Sequence, residues 1–294
     1  MWPTWSDAAI AAALSAGLWL ALRRWPHRPW AVQAADAAKE FTLIAVLYGI
    51  WRIARKLPLA TEHGAIERAH QIADLQATLR LPNELAIERW VASHDVVASA
   101  SVWYYATVHV PALIAFLVWL FWRHREQFPH WRNGLALVTL GCLIIRFVRV
   151  APPRLLPDLG YWDLAQGFGA SLYGADVTTG VSDQFAAMPS IHVAWAAVVS
   201  FGIVATSTSR WRWLFLLHVV ATMFVVVATG NHWWLDGIVA LALLWAGLWL
   251  DSAVRRRRRS ASAQLDRVVP AGAGEVGLEP VLDEPAERPL DVTP

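Results

Sequence analysis

Charge is what this sequence has least of: only 16% of its 294 residues are charged, against about 25% in an ordinary soluble domain. Apolar residues make up 56% of the chain, and the mean hydropathy is +0.38. So few polar residues cannot cover a water-soluble globule of this size, and we predict an integral membrane protein. Because the net charge is only +2, we expect no nucleic-acid partner.

Cysteine and lysine are almost absent as well. Cys142 is the single cysteine and lies in an apolar run, which excludes an intramolecular disulfide and a cysteine-rich metal site. Lys39 and Lys56 are the only lysines, so nearly all positive charge is carried by arginine. The position of each arginine is therefore informative.

Long apolar stretches are abundant. A membrane-spanning helix needs about 20 mostly apolar residues, and the stretches that approach this length lie at residues 7–23, 40–54, 97–122, 132–150, 188–207, 211–229 and 233–251. We therefore predict an all-α integral membrane protein with several spans, of which the first two are the least certain. Tryptophans near the ends of the stretches predict interfacial belts; they are Trp122, Trp131, Trp211, Trp213, Trp233 and Trp234.

Arginine clusters set the predicted orientation, because basic residues in short loops mark the cytoplasmic side. Four clusters fall on one side of the seven predicted spans, at residues 23–28, 123–132, 210–212 and 255–259. This pattern predicts a multi-pass protein of the cell membrane with a cytoplasmic C-terminus. Arg52, Arg55 and Lys56 oppose the pattern at the second span.

Residues 61–90 do not read as a span. An apolar stripe on a first helix precedes Pro82-Asn83, which restarts a second short helix; the stripe consists of Ile66, Ala69, Ile72, Leu75 and Leu79. One interpretation is an interfacial helical hairpin on the outer face, which could gate lipid entry. The other is a solvated helix packed on the bundle.

The chain divides into four predicted regions. They are N-terminal transmembrane spans at 1–58, interfacial amphipathic helices at 59–95, a transmembrane core at 96–251 and a disordered cytoplasmic tail at 252–294. The tail is predicted from its lack of apolar periodicity and its Ala, Gly, Pro, Glu and Asp content.

Three groups of polar residues fall at the outer ends of predicted spans, where such residues are functional candidates. The groups are Arg146, Arg149 and Arg154; Ser190 and His192; and His232 and Asp236. The predicted topology brings all three to the same side of the membrane at similar depth, although they are far apart in the chain.

These residue types suit phosphoryl transfer. His232 and Asp236 are four residues apart, so the carboxylate can hold one ring nitrogen and leave the other as a nucleophile. His192 could protonate the leaving oxygen, the arginines could neutralise the phosphoryl oxygens, and Ser190 could open a helix whose N-terminus faces the anion. No metal or other cofactor is then required. A zinc site made of His192, His232 and Asp236 is the alternative, which the nearby arginines would oppose.

The motifs resemble the type 2 phosphatidic acid phosphatase (PAP2) superfamily, and more narrowly its inositolphosphotransferase-like branch, which includes fungal inositol phosphorylceramide synthase. The segments that carry the resemblance are APPRL at 151–155, MPSIHVAW at 188–195, GNHWWLD at 230–236 and the YY…H pattern of Tyr104, Tyr105 and His109. The resemblance extends over roughly residues 60–251 and implies a six-helix transmembrane core, here with an extra N-terminal span.

The resemblance also implies roles for individual residues. They are nucleophile for His232, orienting acid for Asp236, general acid for His192, and phosphate binder for Ser190 and Arg154. Arg146 or Arg149 would stand in for a lysine of the family's first motif. Ile191 occupies a position that is Gly in the family. Val226 occupies a position that is Arg in the family, and the loss of this arginine favours the transferase-like branch.

The expected function is therefore that of a membrane-embedded phosphatase or phosphotransferase. It would act on a lipid-linked phosphoester or pyrophosphate at the extracytoplasmic face, through a phosphohistidine, and pass the phosphoryl group to water, inositol or a sugar alcohol. Its expected partners are that substrate and membrane lipids. The alternative is a non-catalytic transporter or binding protein for anionic lipid headgroups, which would not need a nucleophile and its orienting acid.

Overall fold

The computed structural model describes residues 3–54, 64–164 and 184–268, with side chains as far as residue 261. Within these ranges every regular element is a helix, apart from an isolated parallel bridge between Val150 and Ala186. The predicted all-α class is confirmed for this part of the chain.

Ten α-helices lie in the described ranges. They are α1 (Trp5–Leu22), α2 (Pro29–Ala54), α3 (Ala65–Thr78), α4 (Glu84–Ala92), α5 (Asp95–Thr107), α6 (His109–Arg123), α7 (Phe128–Ile145), α8 (Ile191–Thr206), α9 (Leu216–Ala228) and α10 (Trp234–Val268). Short 3₁₀ helices occupy Pro153–Leu155, Pro157–Leu159 and Arg210–Phe215.

Fewer helices than the seven predicted spans have the length and apolarity to cross a membrane. Among the described residues these are Trp5–Leu22, Arg210–Ala228 and Trp234–Ala261. The helices α5 and α6 qualify together as a fourth span with a 49° bend between them. The predicted spans at 40–54, 132–150 and 188–207 fall on α2, α7 and α8, which do not qualify.

Charged residues explain why α2 differs from the predicted second span. The helix begins at Pro29 and carries two carboxylates in the half that precedes the apolar stretch. Asp36 accepts a hydrogen bond of 2.6 Å from the Arg125 guanidinium, and Glu40 forms an ion pair with Arg132. Both arginines were predicted as loop anchors, and the structure adds that they tie α2 to the start of α7.

The apolar core is built around α8, which packs against α6, α7 and α9. Val193, Ala197 and Val198 of α8 are completely buried. At Gly202 a Cβ would lie 2.2 Å from the ring of Phe116 on α6, so only glycine permits this close approach. Protein rather than lipid surrounds much of α8, which explains how a helix of 16 residues can serve at the centre of the bundle.

The predicted helical hairpin is present as α3 and α4. The second helix starts where the Asn83 side chain accepts a hydrogen bond of 3.0 Å from the Ala86 N–H, as the Pro82-Asn83 signal indicated. Only a short connection separates the end of α3 from the start of α4.

The predicted apolar stripe of α3 is only partly its buried face. Ala69 is completely buried, but Ile66, Leu75 and Leu79 are about half exposed. Gln76 is buried instead, at 3% exposure. A polar contact to α10, described below, decides which face of α3 turns inward.

Two tryptophans predicted at the membrane interface are core residues. Trp233 is completely buried and its indole N–H donates to the Ala151 carbonyl at 3.0 Å, while Trp131 is 5% exposed. Trp122 and Trp211 are exposed, as an interfacial belt requires. The interfacial prediction was therefore wrong for the two buried side chains.

The last helix is longer than predicted. It continues through residues 252–268, which we had predicted as the start of a disordered tail. The segment is rich in Arg and Ala and is followed by its first proline only at Pro270, so helix propensity favours continuation. The rest of the predicted tail lies outside the described residues, as does the predicted boundary between regions at 58 and 59.

Candidate active site

The first two motif segments are joined by backbone hydrogen bonds. The Val150 N–H donates to the Phe185 carbonyl at 2.9 Å, and the Ala187 N–H donates to the Val150 carbonyl at 3.1 Å. This short parallel pairing aligns the segment that precedes Arg154 with the one that leads into His192.

The third motif segment is joined to both of the others. The Arg154 N–H donates to the Gly230 carbonyl at 2.9 Å, and the Ser190 N–H donates to the Asp236 carbonyl at 3.1 Å. Backbone contacts alone therefore bring the three predicted groups together at one end of the bundle.

The His232 ring is held on one side by two acceptors. Its Nδ1 lies 2.7 Å from the Ala187 carbonyl oxygen and 3.2 Å from Asp236 Oδ2. Since neither acceptor has a hydrogen to donate, the ring proton belongs on Nδ1, and Nε2 carries an unprotonated lone pair. A buried imidazole in this tautomer can attack phosphorus.

Asp236 has a structural role as well as an orienting one. It is completely buried, and the oxygen that faces His232 also accepts the Trp233 N–H at 2.9 Å. The carboxylate thus caps the start of α10 while it holds the imidazole.

His192 and Ser190 lie at the start of α8. Ser190 is the N-cap, with its hydroxyl accepting the Val193 N–H at 3.4 Å, so Pro189 precedes the helix rather than lying in its first turn. The His192 ring is 5.8 Å from the His232 ring, centroid to centroid. Two imidazoles at this distance can face the two ends of one breaking P–O bond.

Of the three predicted arginines, Arg154 is fixed to the loop that carries His232. Its guanidinium donates to Asn231 Oδ1 at 2.7 Å and lies 3.8 Å from Asp163. Arg146 and Arg149 are buried, at 9% and 2% exposure, and follow the end of α7. The helix ends at residue 145 rather than 150, so these two arginines belong to the connecting segment.

The hairpin contributes polar contacts that the sequence did not reveal. Gln76 Oε1 accepts the Leu235 N–H at 3.0 Å, and Glu84 Oε1 accepts the Trp234 N–H at 3.2 Å. The Trp234 indole donates to the Pro82 carbonyl at 2.8 Å. The first N–H groups of α10 have no partner within their own helix, and these side chains supply it.

The hairpin also holds the arginine segment. The Ala151 N–H donates to the Ala65 carbonyl at 3.1 Å, and Arg68 Nε donates to the Arg149 carbonyl at 2.6 Å. The hairpin therefore contacts both the segment with the phosphate-binding candidates and the helix that follows His232.

Gly230 makes the turn before His232 possible. Its φ is +63°, in the left-handed region that favours glycine. A Cβ at this position would lie 3.0 Å from Glu88 Oε1 and 3.2 Å from Arg154 Cβ. The turn packs closely against α4, with a carboxylate at the contact.

Glu88 is a carboxyl group that is buried next to the turn at Gly230. It is completely buried, and neither carboxylate oxygen has a hydrogen-bond partner in the described part of the chain. Burial raises the pKa of Glu88 to about 7. The protonated form is thus favoured in the folded protein at mildly acidic pH.

We expect this group to make stability depend on pH. Its folded pKa is above the unfolded value of about 4.3, so folding is disfavoured progressively as the pH rises between the two values, by about 4 kcal/mol in total. Glu88→Gln keeps the shape and removes the titration. Thermal unfolding in detergent at pH 5 and pH 8 should reveal a smaller pH-dependent loss in the variant than in the wild type, and parallel losses would contradict the assignment.

The zinc alternative has no support in residues 3–54, 64–164 and 184–268. No group of three or more His, Cys, Asp or Glu side chains there is arranged to hold a metal ion. One nitrogen of His232 is already engaged by a carbonyl and a carboxylate.

Sequence reasoning missed the residues that support the site from a distance. Gln76 and Glu84 are polar residues on short helices, and only their burial distinguishes them from a solvated face. Asn231 lies inside the third motif, and its position next to His232 was a usable signal. The interaction of Ala187 is through its carbonyl, for which side-chain patterns give no signal.

The comparisons with known proteins agree with this geometry. The family model of the PAP2 superfamily matches residues 70–250, which include most of α3, all of α4, all three motif segments and about the first half of α10. No curated protein and no solved structure matches significantly. Since the matched region covers more than half of the chain, this protein belongs to the PAP2 superfamily.

Proposed function

We propose that this protein is a membrane-embedded enzyme that transfers the phosphoryl group of a lipid-linked phosphoester or pyrophosphate through a phosphohistidine at His232. Family membership supports phosphatase-type chemistry. The observation that carries the proposal is the setting of the His232 ring. Its Nδ1 faces two acceptors, so its Nε2 keeps an unprotonated lone pair. The centroid of the ring lies 5.8 Å from that of the His192 ring.

The first half-reaction follows from these positions. His232 Nε2 attacks phosphorus, the P–O bond to the leaving alcohol breaks, and protonated His192 gives its proton to that oxygen. The positive charge that develops on His232 is stabilised by Asp236, while Arg154 neutralises the phosphoryl oxygens. The products are a free alcohol and a phosphohistidine.

The second half-reaction reverses these roles. An acceptor hydroxyl loses its proton to His192, its oxygen attacks phosphorus, and the P–N bond to His232 breaks. Water as acceptor gives a phosphatase, and inositol or a sugar alcohol gives a transferase. Val226 in place of an arginine favours the transfer reaction, as in the inositolphosphotransferase-like branch. No step requires a metal ion.

The arginine distribution supports an extracytoplasmic site. Asp236 and Asp251 lie at positions of α10 that are about 22 Å apart, at about 1.5 Å per residue. Asn133 donates to Asp251 at 2.7 Å and accepts from Arg132, so the arginine-rich end of the bundle is opposite the site. By the positive-inside rule that end is cytoplasmic.

Trapping the intermediate tests the proposal. Wild-type protein mixed with ³²P-labelled lipid phosphate and quenched within milliseconds should carry label that is labile in acid and stable in base, and the label should form equally in EDTA. Lipid binding without any covalent label would instead favour a transporter or binding protein for anionic headgroups. A strict zinc requirement would favour the metal alternative.

A further inference from the structure

Four histidine rings form a connected row that begins at the candidate active site. The His192 ring lies 5.8 Å from His232 and 5.1 Å from His109, and the His109 ring lies 6.1 Å from His218. These contacts join the starts of α6 and α8 to α9. The second half of the row has no part in the reaction described above.

The last two rings each hold a buried nitrogen without a partner. His109 is 3% exposed, and its Nδ1 lies 3.2 Å from the Tyr105 carbonyl, so Nδ1 carries the proton and Nε2 is an acceptor. His218 Nδ1 lies 2.6 Å from the Tyr104 hydroxyl. Neither Nε2 atom has a hydrogen-bond partner among the described residues.

The Nε2 atoms of His109 and His218 have opposite hydrogen-bonding roles. The shortest contact of the Tyr104 hydroxyl is with His218 Nδ1, which we assign as the acceptor, so His218 Nε2 carries a proton to donate. His109 Nε2 needs a donor. Buried polar groups in native proteins are nearly always satisfied, and one hydroxyl group both accepts and donates.

We propose that His109 and His218 form a subsite for a second hydroxyl group on the alcohol that reacts beside His192. The inference rests on the proposed function, because it places the reacting oxygen at His192. The atoms bonded to that oxygen then meet His109, the next ring in the row. The substrate class is an alcohol with a hydroxyl next to the reacting one, either the leaving alcohol or the acceptor.

Two pairs of compounds test whether the second hydroxyl group belongs to the leaving alcohol or to the acceptor. The donor pair is 1-acylglycerol 3-phosphate and its 2-deoxy analogue, compared by kcat/KM. The acceptor pair is glycerol and 1-propanol, compared by the share of phosphoenzyme that each captures. Wild type should prefer the hydroxylated member of at least one pair by about tenfold or more.

The variants His109→Phe and His218→Phe should reduce that preference to about twofold or less. They should do so by lowering the kcat/KM or the capture of the hydroxylated compound, while the values for the other member of the pair stay unchanged. His27→Phe, a matched change at an exposed histidine, should keep it. Either ring variant suffices if the other does not fold, because the wild-type preference is measured independently.

Equal use of both members of both pairs by active wild type would overturn the subsite and mean that only water occupies it. A wild type that forms no acid-labile phosphoenzyme would contradict the proposed function instead. In that case the affinities of the two donor lipids still test the subsite, since equal affinities would overturn it and tighter binding of the hydroxylated lipid, lost in His109→Phe, would support it.

Discussion

Replacing His232 with alanine is expected to lower phosphoryl transfer by at least about 10⁴-fold and to abolish the covalent intermediate, because no other group is held in the same position to attack phosphorus. The measurement is turnover of a lipid phosphate by purified protein, together with acid-labile labelling. His94→Ala, at an exposed histidine of the α4–α5 junction, serves as the control and should retain both signals.

Added imidazole makes this prediction sharper. In His232→Gly, free imidazole can occupy the vacated space and accept the phosphoryl group in place of the side chain. Turnover that returns with imidazole concentration would identify the missing ring as the nucleophile rather than as a support of the fold. Turnover that survives the substitution without imidazole would contradict the proposed mechanism.

The second large effect is expected at His192. His192→Gln should reduce kcat by about 10²- to 10⁴-fold on alkyl phosphates, whose leaving alkoxide needs a proton. On an aryl phosphate with a nitrophenolate leaving group, the first half-reaction needs no acid. The variant should then release a rapid burst of one nitrophenolate per active site and stall, because the base of the second half-reaction is also missing.

The burst separates chemistry from structural damage. Rapid-quench kinetics of both substrates measure it, and His94→Gln is the matched control. If His192→Gln slowed the first turnover of the aryl phosphate as much as that of the alkyl phosphate, His192 would not act as the acid.

The helical class and the residues of the candidate site were predictable because they depend on local patterns. Apolar runs gave the helices, and the order Pro-Ser-x-His followed by His-x-x-x-Asp gave the residues that the backbone then brings together. The His232–Asp236 contact was predictable from the four-residue spacing alone.

What the sequence could not give depends on contacts between distant segments. Gln76 and Glu84 look like ordinary polar residues until their partners, the first N–H groups of α10, are known. Trp233 illustrates the reverse case, since its amphipathic ring suits an interface equally well, and only the Ala151 contact identifies it as core.

The attachment of the hairpin to the start of α10 has a consequence for biogenesis. The hairpin residues that cap the start of α10 are synthesised early, whereas α10 follows the other candidate spans of the described residues in the chain. The hydrogen bonds of Gln76 and Glu84 with the N–H groups of Leu235 and Trp234 can therefore form only after these later residues have been synthesised. Under the proposed function, a nascent chain that has inserted only through α9 has not yet placed His232 and Asp236, and we expect activity only after α10 has entered the membrane.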